Sequence, residues 1–168
     1  VGHTGTLDPM ATGLLIMLVG KAVKASDYVT AQDKVYDAEM KLGIVTDTAD
    51  ITGNILSRSD DIPPRDEVIS AAKGFVGRYM QVPPMYSAIK VGGKKLYELA
   101  REGKTVELEP RELFISFIDI EGGGDTYRMR IACSKGTYIR TLCEDIGKKL
   151  GCGATMSALC RYSSGNFT

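Results

Sequence analysis

Three consecutive glycines, Gly122–Gly124, separate two strand-length segments and limit the fold more than any other feature of the chain. Residues 114–121 and 127–133, on either side, contain the β-branched and aromatic side chains that favour strands. Glycine supplies the backbone conformations that a tight reversal of the chain needs. The sequence therefore predicts an antiparallel hairpin here, and a fold that includes a β-sheet.

Strand and helix patterns recur along the rest of the chain. Residues 35–43 alternate between apolar and polar side chains, as in a half-buried strand, and residues 13–20 form an apolar run typical of a buried strand. Further strands are predicted at residues 54–58, 86–91 and 154–162, and helices at residues 21–30, 63–75, 95–101 and 137–150. Because strands outnumber helices and hairpins recur, the sequence predicts an α/β (α+β) fold with a mixed, mainly antiparallel sheet flanked by helices. We expect one domain over residues 1–168.

The charge of the chain is balanced overall but divided along its length. The formal net charge is zero, yet residues 27–67 hold ten acidic and four basic side chains, and residues 128–161 hold seven basic and two acidic ones. Such an asymmetry lets a neutral protein present a basic face to a polyanion. The longest apolar run, Leu14–Val19, is far shorter than the roughly 20 residues that a membrane span needs, so no membrane segment is predicted.

The four cysteines indicate no metal site. Cys133, Cys143, Cys152 and Cys160 form no CxxC pair, and the chain has a single histidine. This pattern lacks the ligand spacing of a zinc site. We expect reduced, mostly buried thiols of the kind found in cytosolic proteins.

The densest group of chemically informative residues occupies positions 2–15. Two glycines bracket His3 and permit close approach of a ligand. Pro9 restricts Asp8 to an extended conformation and thereby fixes the direction of its carboxylate. The spacing alone leaves four roles open for Asp8: a nucleophile, a general base, a metal ligand or the first residue of an Asp-Pro turn.

Residues 2–15, GHTGTLDPMATGLL, resemble the catalytic motif of the TruB family of pseudouridine synthases. The resemblance continues in order along essentially the whole chain and implies the pseudouridine synthase fold. Its further segments are Lys34-x-Tyr36, Thr46-Asp47-Thr48-x-Asp50-x-x-Gly53, Pro83-Pro84-x-Tyr86-Ser87-Ala88-x-Lys90, Gly93-Lys94-x-x-Tyr97-x-x-Ala100-Arg101, Cys133-Ser134-Lys135-Gly136-Thr137-Tyr138-Ile139-Arg140 and Leu159-x-Arg161-x-x-x-Gly165-x-Phe167.

The family isomerises the T-loop uridine of tRNA to pseudouridine on a flipped-out nucleotide, without cofactor or metal. By motif position, Asp8 resembles the nucleophile, for which addition to the ribose anomeric carbon and removal of a ribose proton are both open. Arg140 resembles the arginine that holds this carboxylate bidentately and keeps it charged. Tyr36 resembles the tyrosine that stacks on the flipped uracil.

The resemblance also implies residues that bind substrate. His3 matches the histidine beside the target nucleotide, Tyr138 a second tyrosine lining the pocket, and Leu159 a residue that closes the pocket over the base. Ordinary core packing is the alternative role for the two tyrosines and for Leu159, and a purely structural role is the alternative for His3.

Contacts to RNA phosphates are expected from five basic side chains that are otherwise ordinary surface cations: Lys24, Lys90, Lys94, Lys135 and Arg161. Asp47 and Asp50 could be read as a metal-binding pair, but their spacing favours a hydrogen-bonded turn.

Family members carry two parts that this chain does not: an N-terminal strand segment and a C-terminal RNA-binding domain. The first residue is Val1 rather than Met, so we expect the chain to be the truncated core of a longer enzyme. The expected partner is the T-arm of tRNA, with no membrane partner. We expect the enzyme to be a cytoplasmic monomer.

Three other functions fit the sequence less well. A catalytic subunit of a guide-RNA pseudouridylation complex is disfavoured because residues 90–111 look bacterial. A non-catalytic RNA-binding module is disfavoured because Asp8, Tyr36, Tyr138 and Arg140 are all present. A glycoside or phosphate hydrolase would need a second well-placed acid, which the sequence lacks.

Overall fold

The computed structural model describes residues 1–168 and is organised around a six-stranded sheet. The strands in chain order are β1 Gly2–His3, β2 Thr12–Gly13, β3 Met17–Leu18, β4 Lys34–Leu42, β5 Ile44–Thr46, β6 Ile55–Arg58, β7 Gly77–Gln81, β8 Lys90–Val91, β9 Lys94–Lys95, β10 Arg111–Gly123, β11 Thr126–Cys133 and β12 Ala154–Ser164. The sheet has the order β2-β12-β4-β11-β10-β7, and within it only β2 and β12 are parallel. Three two-stranded pairs lie outside it: β1–β3, β5–β6 and β8–β9. The prediction of a mixed, mainly antiparallel sheet is confirmed.

The chain also contains one 3₁₀ helix and four α-helices. They are a 3₁₀ helix at Gly20–Ala25 followed by α1 Ser26–Thr30, α2 Arg65–Lys73, α3 Leu96–Arg101 and α4 Ile139–Leu150. Helix α4 ends at Gly151, which adopts a left-handed conformation with a φ of 83°, as the glycine after the predicted helix indicates. Helices α2 and α4 contact each other and the sheet. Neither these helices nor the 3₁₀ segment has the length and apolar character needed to span a bilayer.

The hydrophobic core lies between the sheet and helices α2 and α4. Alternate residues of β4, namely Ala38, Met40 and Leu42, are buried, and their neighbours along the strand are only half-buried. This is the pattern that the alternation at residues 35–43 predicts, because successive side chains of a strand point to opposite faces. The helices contribute Val68, Ala72, Ile139, Leu142 and Ile146 to the same core.

The predicted glycine hairpin is confirmed. Strands β10 and β11 pair antiparallel over their length, and the last pair before the turn is Gly123 with Thr126. The turn therefore consists of Gly124 and Asp125, and the register shifts once, between Ile115 and Phe117. Strand β11 also pairs with β4, which places the hairpin in the middle of the sheet.

Residues 13–20 do not form the buried strand that their apolar run predicts. Leu15, Met17 and Val19 are 40%, 52% and 66% exposed, and only the short strands β2 and β3 occur here. Gly13 has a φ of +97°, and a Cβ there would lie 2.3 Å from the carbonyl oxygen of Arg161. The chain therefore leaves β12 after two residues and turns back, so that β3 pairs with β1 instead.

The strand predicted at residues 86–91 is wrong for most of its length, because only Lys90–Val91 is a strand. The carbonyl of Tyr86 accepts a hydrogen bond from Arg140, and that of Ser87 accepts one from the backbone N–H of Tyr97, so neither joins a ladder. Four strands were not predicted: the two-residue strands β1 and β9, strand β5, and the edge strand β7. The inward positions of β7 include a buried glutamine, Gln81, that breaks the apolar alternation.

Candidate active site

Asp8 and Arg140 form a bidentate ion pair although they lie far apart in the sequence. The Arg140 Nε donates to Oδ2 of Asp8 at 2.8 Å, and Nη2 donates to Oδ1 at 3.0 Å. Asp8 lies in the loop between β1 and β2, and Arg140 is the second residue of α4. The side chain of Asp8 is 27% exposed and that of Arg140 is 3% exposed. The pair therefore fixes an ionised carboxylate that solvent, or a ligand, can still reach.

Arg140 also binds two backbone carbonyls. Its Nη1 donates to the carbonyl oxygen of Thr48 at 3.0 Å, and Nη2 donates to that of Tyr86 at 2.7 Å. A buried charge needs such partners, because its desolvation is otherwise costly. The residues that meet at this guanidinium come from four separate segments of the family resemblance.

The start of α4 is held by Gln81, a residue that the sequence did not single out. Its Oε1 accepts a hydrogen bond from the backbone N–H of Tyr138 at 2.9 Å, and its Nε2 donates to the carbonyl of Tyr138 at 3.0 Å. On the same strand, Tyr79 donates its hydroxyl hydrogen to Asp145 of α4. The only available hint was position, since Gln81 lies two residues before the Pro83-Pro84 segment of the resemblance.

Arg161 lies on β12, and its side chain points inward. The residue is 2% exposed, and its Nε and Nη2 donate to the carbonyls of Leu14 and Gly5 at 2.9 and 3.0 Å. Gly5 belongs to the loop that carries Asp8, and Leu14 directly follows β2, the strand at the end of that loop. The sequence predicted a surface cation, but the side chain of Arg161 is buried and bonds to the protein itself. A contact of Arg161 with RNA phosphate stays a prediction.

Tyr36 and Tyr138 are half-buried phenols close to the ion pair. Burial raises the pKa of Tyr36, and the neighbouring Arg161 guanidinium opposes this effect without cancelling it. Burial also raises the pKa of Tyr138, with the positive charge of Arg140 acting in the opposite direction. The negative charge of Asp8 adds to the raised pKa of both hydroxyls. Both phenols are therefore neutral at physiological pH and available for stacking and hydrogen bonding.

His3 lies on the surface, whereas Leu159 lies in the hydrophobic core. His3 is exposed on β1, the strand just before the loop that carries Asp8, and it pairs with Met17. Leu159 is 7% exposed on β12, opposite Ala38, and belongs to the hydrophobic core against which Tyr36 packs. Leu159 thus fills a core position beside the site, and its role over a bound base stays a prediction.

The predicted lysine contacts lie on the surface. Lys24, Lys90, Lys94 and Lys135 are all exposed, and Lys94 forms an ion pair of 3.4 Å with Glu102. Lys34, which belongs to the resemblance but was given no role, is 6% exposed and donates to the carbonyl of Thr30 at 2.6 Å. Burial lowers the pKa of Lys34, and the positive charge of Arg161 lowers it further.

Asp47 and Asp50 form the hydrogen-bonded turn that their spacing favours. Oδ1 of Asp50 accepts from the backbone N–H of Thr52 at 2.9 Å, and Oδ1 of Asp47 accepts from that of Asn54 at 2.8 Å. Their carboxylates are therefore occupied by the turn that leads from Thr48 towards β6.

A depression of about 700 Å³ lies along the sheet but contains neither Asp8 nor Arg140. Its charged lining residues are Asp37, Glu39, Asp119, Glu121, Arg128 and Arg130. Several of these charges neutralise each other, and Asp37 and Arg130 form a bidentate pair with both distances at 2.7 Å. Asp119 and Glu121 form no ion pair there, so no arginine holds either carboxylate in one orientation as Arg140 holds that of Asp8.

Two family models together match the whole chain. The model described as TruB family pseudouridylate synthase (N terminal domain) matches residues 1–139, and the model described as tRNA pseudouridylate synthase B C-terminal domain matches residues 140–168. The chain belongs to the TruB family.

Bacterial relatives of this TruB chain are named tRNA pseudouridine synthase B. The chain is 54% identical to the tRNA pseudouridine synthase B from Clostridium novyi (strain NT), and the match covers 100% of this chain and 58% of the relative. It is 52% identical to the one from Clostridium acetobutylicum, over 99% of this chain and 58% of the relative, and 48% identical to the one from Bacillus pumilus, over 100% and 57%. The chain thus spans somewhat more than half the length of these relatives.

Two solved structures share this fold. The structure described as "Crystal Structure of a Cbf5-Nop10-Gar1 Complex" matches with a TM-score of 0.74 at 32% identity, covering 99% of this chain and 41% of the other. The structure described as "Structure of H/ACA RNP bound to a substrate RNA containing 2'-deoxyuridine" matches with a TM-score of 0.70 at 28% identity, covering 99% and 39%.

The two TruB family models meet between Ile139 and Arg140, at the first turn of α4. In the structure, β12 lies between β2 and β4, so the segments matched by the two models share one sheet. The ion pair crosses the same boundary, since Asp8 lies in the first matched segment and Arg140 in the second.

Proposed function

We propose that this protein isomerises the T-loop uridine of tRNA to pseudouridine, with Asp8 as the nucleophile. The observation that carries the proposal is the bidentate contact between the partly exposed Asp8 carboxylate and the buried Arg140 guanidinium. Charge-assisted pairs of this geometry are strong and directional, so they hold the carboxylate in one orientation. The proposed product is pseudouridine 55, the modification attributed to TruB-type enzymes.

The reaction is an isomerisation, so the atoms of the nucleotide are conserved. The bond from ribose C1′ to uracil N1 breaks, a bond from C1′ to C5 forms, C5 loses a proton and N1 gains one. An ionised carboxylate beside C1′ supports this in either of two ways, by adding to the developing cation or by removing a ribose proton. We propose that the reaction uses no cofactor. The conversion is redox-neutral, so it needs no oxidant or reductant.

Recognition of the base is assigned to the aromatic side chains beside the ion pair. Tyr36 offers its face to the flipped uracil, for which stacking is worth about 1–3 kcal/mol per base. Tyr138, at the start of α4, forms a second wall, Leu159 closes the pocket, and His3 lies beside the nucleotide as it leaves the stack. Because the pKa of each tyrosine is raised by burial, their hydroxyls act as neutral groups at physiological pH.

The surface lysines are proposed to bind the RNA backbone. Lys24, Lys90, Lys94 and Lys135 are exposed, and contacts from such ammonium groups to phosphates add affinity that falls with salt. We retain a cytoplasmic location and a monomeric state as predictions for the whole protein.

A guide-RNA subunit is the second candidate, because the fold matches the Cbf5 structures at 28–32% identity. The relatives named tRNA pseudouridine synthase B match at 48–54%, which favours action on tRNA without a guide. The two candidates differ in whether the protein alone modifies a tRNA transcript.

The decisive experiment compares two aspartates that are both held bidentately by arginine. Full-length wild-type protein, Asp8→Asn and Asp37→Asn would be incubated with an unmodified tRNA transcript, and pseudouridine mapped by carbodiimide labelling. We expect T-loop modification by wild type and by Asp37→Asn, and none by Asp8→Asn. A wild-type protein that binds the transcript without modifying it would refute the enzyme hypothesis, and activity only with an added guide RNA would favour the second candidate.

A further inference from the structure

Arg161 is a buried cation without an acidic partner. Its residue is 2% exposed, and the ion pairs of the molecule do not include it. Two of its guanidinium nitrogens instead donate to backbone carbonyls, those of Leu14 at 2.9 Å and Gly5 at 3.0 Å. A buried charge with neutral partners costs free energy, so its presence here calls for a specific role.

The two carbonyls lie on either side of the nucleophile in the chain. Gly5 precedes Asp8 by three residues and Leu14 follows it by six, so one guanidinium bonds to the chain both before and after the nucleophile. The backbone of Arg161 reinforces this contact, because its carbonyl accepts a hydrogen bond from the N–H of Leu14 at 2.8 Å. Gly5 has a φ of +84°, and a Cβ there would lie 3.3 Å from Nη1 of Arg161. The loop therefore rests directly on this side chain.

The same residue lies beside Tyr36. In the antiparallel pairing of β12 with β4, Arg161 is directly opposite Tyr36. Directly opposed residues of an antiparallel pair have neighbouring side chains on one face of the sheet. Arg161 thus lies between the loop that carries the nucleophile and the strand that carries the stacking tyrosine.

We propose that Arg161 is a positioning residue that sets the Asp8 loop against Tyr36, and that it acts on the chemical step rather than on RNA affinity. This inference rests on the proposed function and extends it to a residue that does not touch the substrate. A guanidinium presents Nε–H and Nη–H donors in a fixed fork, whereas a lysine ammonium is a single point with a flexible stem. Lysine therefore keeps the charge of Arg161, but its single ammonium group does not reproduce the separate hydrogen bonds to the carbonyls of Leu14 and Gly5.

The test is Arg161→Lys in the full-length protein, with Arg128→Lys as the matched control on β11 of the same sheet, where the arginine side chain is 76% exposed. Single-turnover rates at saturating tRNA and tRNA dissociation constants at several salt concentrations would be measured. We expect the rate of Arg161→Lys to fall at least about tenfold, because displacements near 1 Å at a catalytic group cost up to about 100-fold. The dissociation constant should stay within about twofold, with an unchanged salt slope. Arg128→Lys should match wild type in all three quantities.

Two outcomes would overturn the positioning role of Arg161, and a third would overturn the proposed function on which it rests. Weaker binding with a flatter salt dependence and a normal rate at saturation would make Arg161 a phosphate contact. An unchanged rate and unchanged binding would leave it without a positioning role. A wild-type protein that makes no pseudouridine would instead refute the proposed function.

A second variant tests the same contact from the other side if Arg161→Lys does not fold. Gly5→Ala leaves Arg161 in place and forces its guanidinium away from the loop, because the new Cβ would sit 3.3 Å from Nη1 in a strained conformation. Thermal unfolding would first show that the variant is folded. We expect a reduced single-turnover rate with tRNA affinity unchanged, and a wild-type rate in folded Gly5→Ala would refute the proposal.

Discussion

Gln81 holds Tyr138 by both polar groups of its backbone. The side-chain oxygen of Gln81 accepts from the N–H of Tyr138 at 2.9 Å, and the side-chain nitrogen donates to its carbonyl at 3.0 Å. Gln81 is 1% exposed, so water does not compete for these bonds. Because Tyr138 immediately precedes α4, this contact fixes the start of the helix that carries Arg140.

Replacing Gln81 with Met should destabilise the fold and slow catalysis. The substitution removes the partner of the backbone N–H of Tyr138, and such an unsatisfied group costs about 1–3 kcal/mol. The carbonyl of Tyr138 keeps the hydrogen bond that it accepts from the N–H of Leu142 at 3.1 Å. Chemical denaturation would measure the loss, and single-turnover kinetics would show a slower rate because Arg140 and Tyr138 lose their support. Gln32→Met, at the chain's other glutamine, is the control and should change stability by no more than about 0.5 kcal/mol. Equal stability for the two variants would contradict the role of Gln81.

Arg140→Met should remove most of the turnover while affecting tRNA binding much less. The substitution leaves the Asp8 carboxylate and the carbonyls of Thr48 and Tyr86 without their donor. Because Asp8 is 27% exposed, water replaces part of the lost contact, and we expect a stability loss of about 1–3 kcal/mol. The measurements are product formation, tRNA affinity and denaturant unfolding.

Arg130→Met provides the matched control for that variant. Arg130 also holds an aspartate bidentately, but its side chain is 44% exposed, and exposed pairs contribute only about 0–1 kcal/mol. We expect normal turnover and a small loss of stability. Wild-type turnover in Arg140→Met would rule out the proposed catalytic role of the buried ion pair between Asp8 and Arg140.

The sheet was predictable because it depends on local sequence patterns. The ion pair between Asp8 and Arg140 was predictable because the family resemblance extends along nearly the whole chain. The alternation in β4 and the glycines before β11 follow from strand geometry alone. Asp8, Tyr36, Tyr138 and Arg140 were named from motif position, and the structure brings them together.

The errors share a physical cause, which is that they depend on contacts between distant segments. The run at residues 13–20 looks buried, but Gly13 packs against β12 and the chain turns away from it. Strand β7 was missed because its inward residue Gln81 is polar, and its polarity is explained only by the backbone of Tyr138. Arg161 looked like a surface cation because its burial depends on the carbonyls of Gly5 and Leu14.

The tyrosines of the site should ionise late in an alkaline titration. The pKa values of four tyrosines are raised, chiefly by burial: Tyr36, Tyr79, Tyr127 and Tyr138. A raised folded-state pKa gives stability that is complete below the unfolded value near 10 and is lost as pH rises through the folded value. Stability should therefore fall above about pH 10.

Absorbance at 295 nm would follow the ionisation of the tyrosines. Tyr36→Phe should remove one group from the late phase of this titration and make the loss of stability with rising pH less steep. Tyr28→Phe, at a tyrosine that is 74% exposed, should leave the late phase unchanged.

Lys135→Gln should weaken tRNA binding in a way that depends on salt. Lys135 is exposed and lies four residues before Ile139, the first residue of α4, so it is close along the chain to Arg140. Removing one phosphate contact lowers the slope of log affinity against log salt by about 0.7–0.9. The control is Lys41→Gln, because the Lys41 ammonium group already pairs with Asp125 at 2.7 Å. Lys41 lies on β4, opposite Thr126 of β11. Binding isotherms at four or more salt concentrations should show the reduced slope for Lys135→Gln alone, together with a normal single-turnover rate at saturating tRNA. Identical slopes for the two variants would remove Lys135 from the RNA interface.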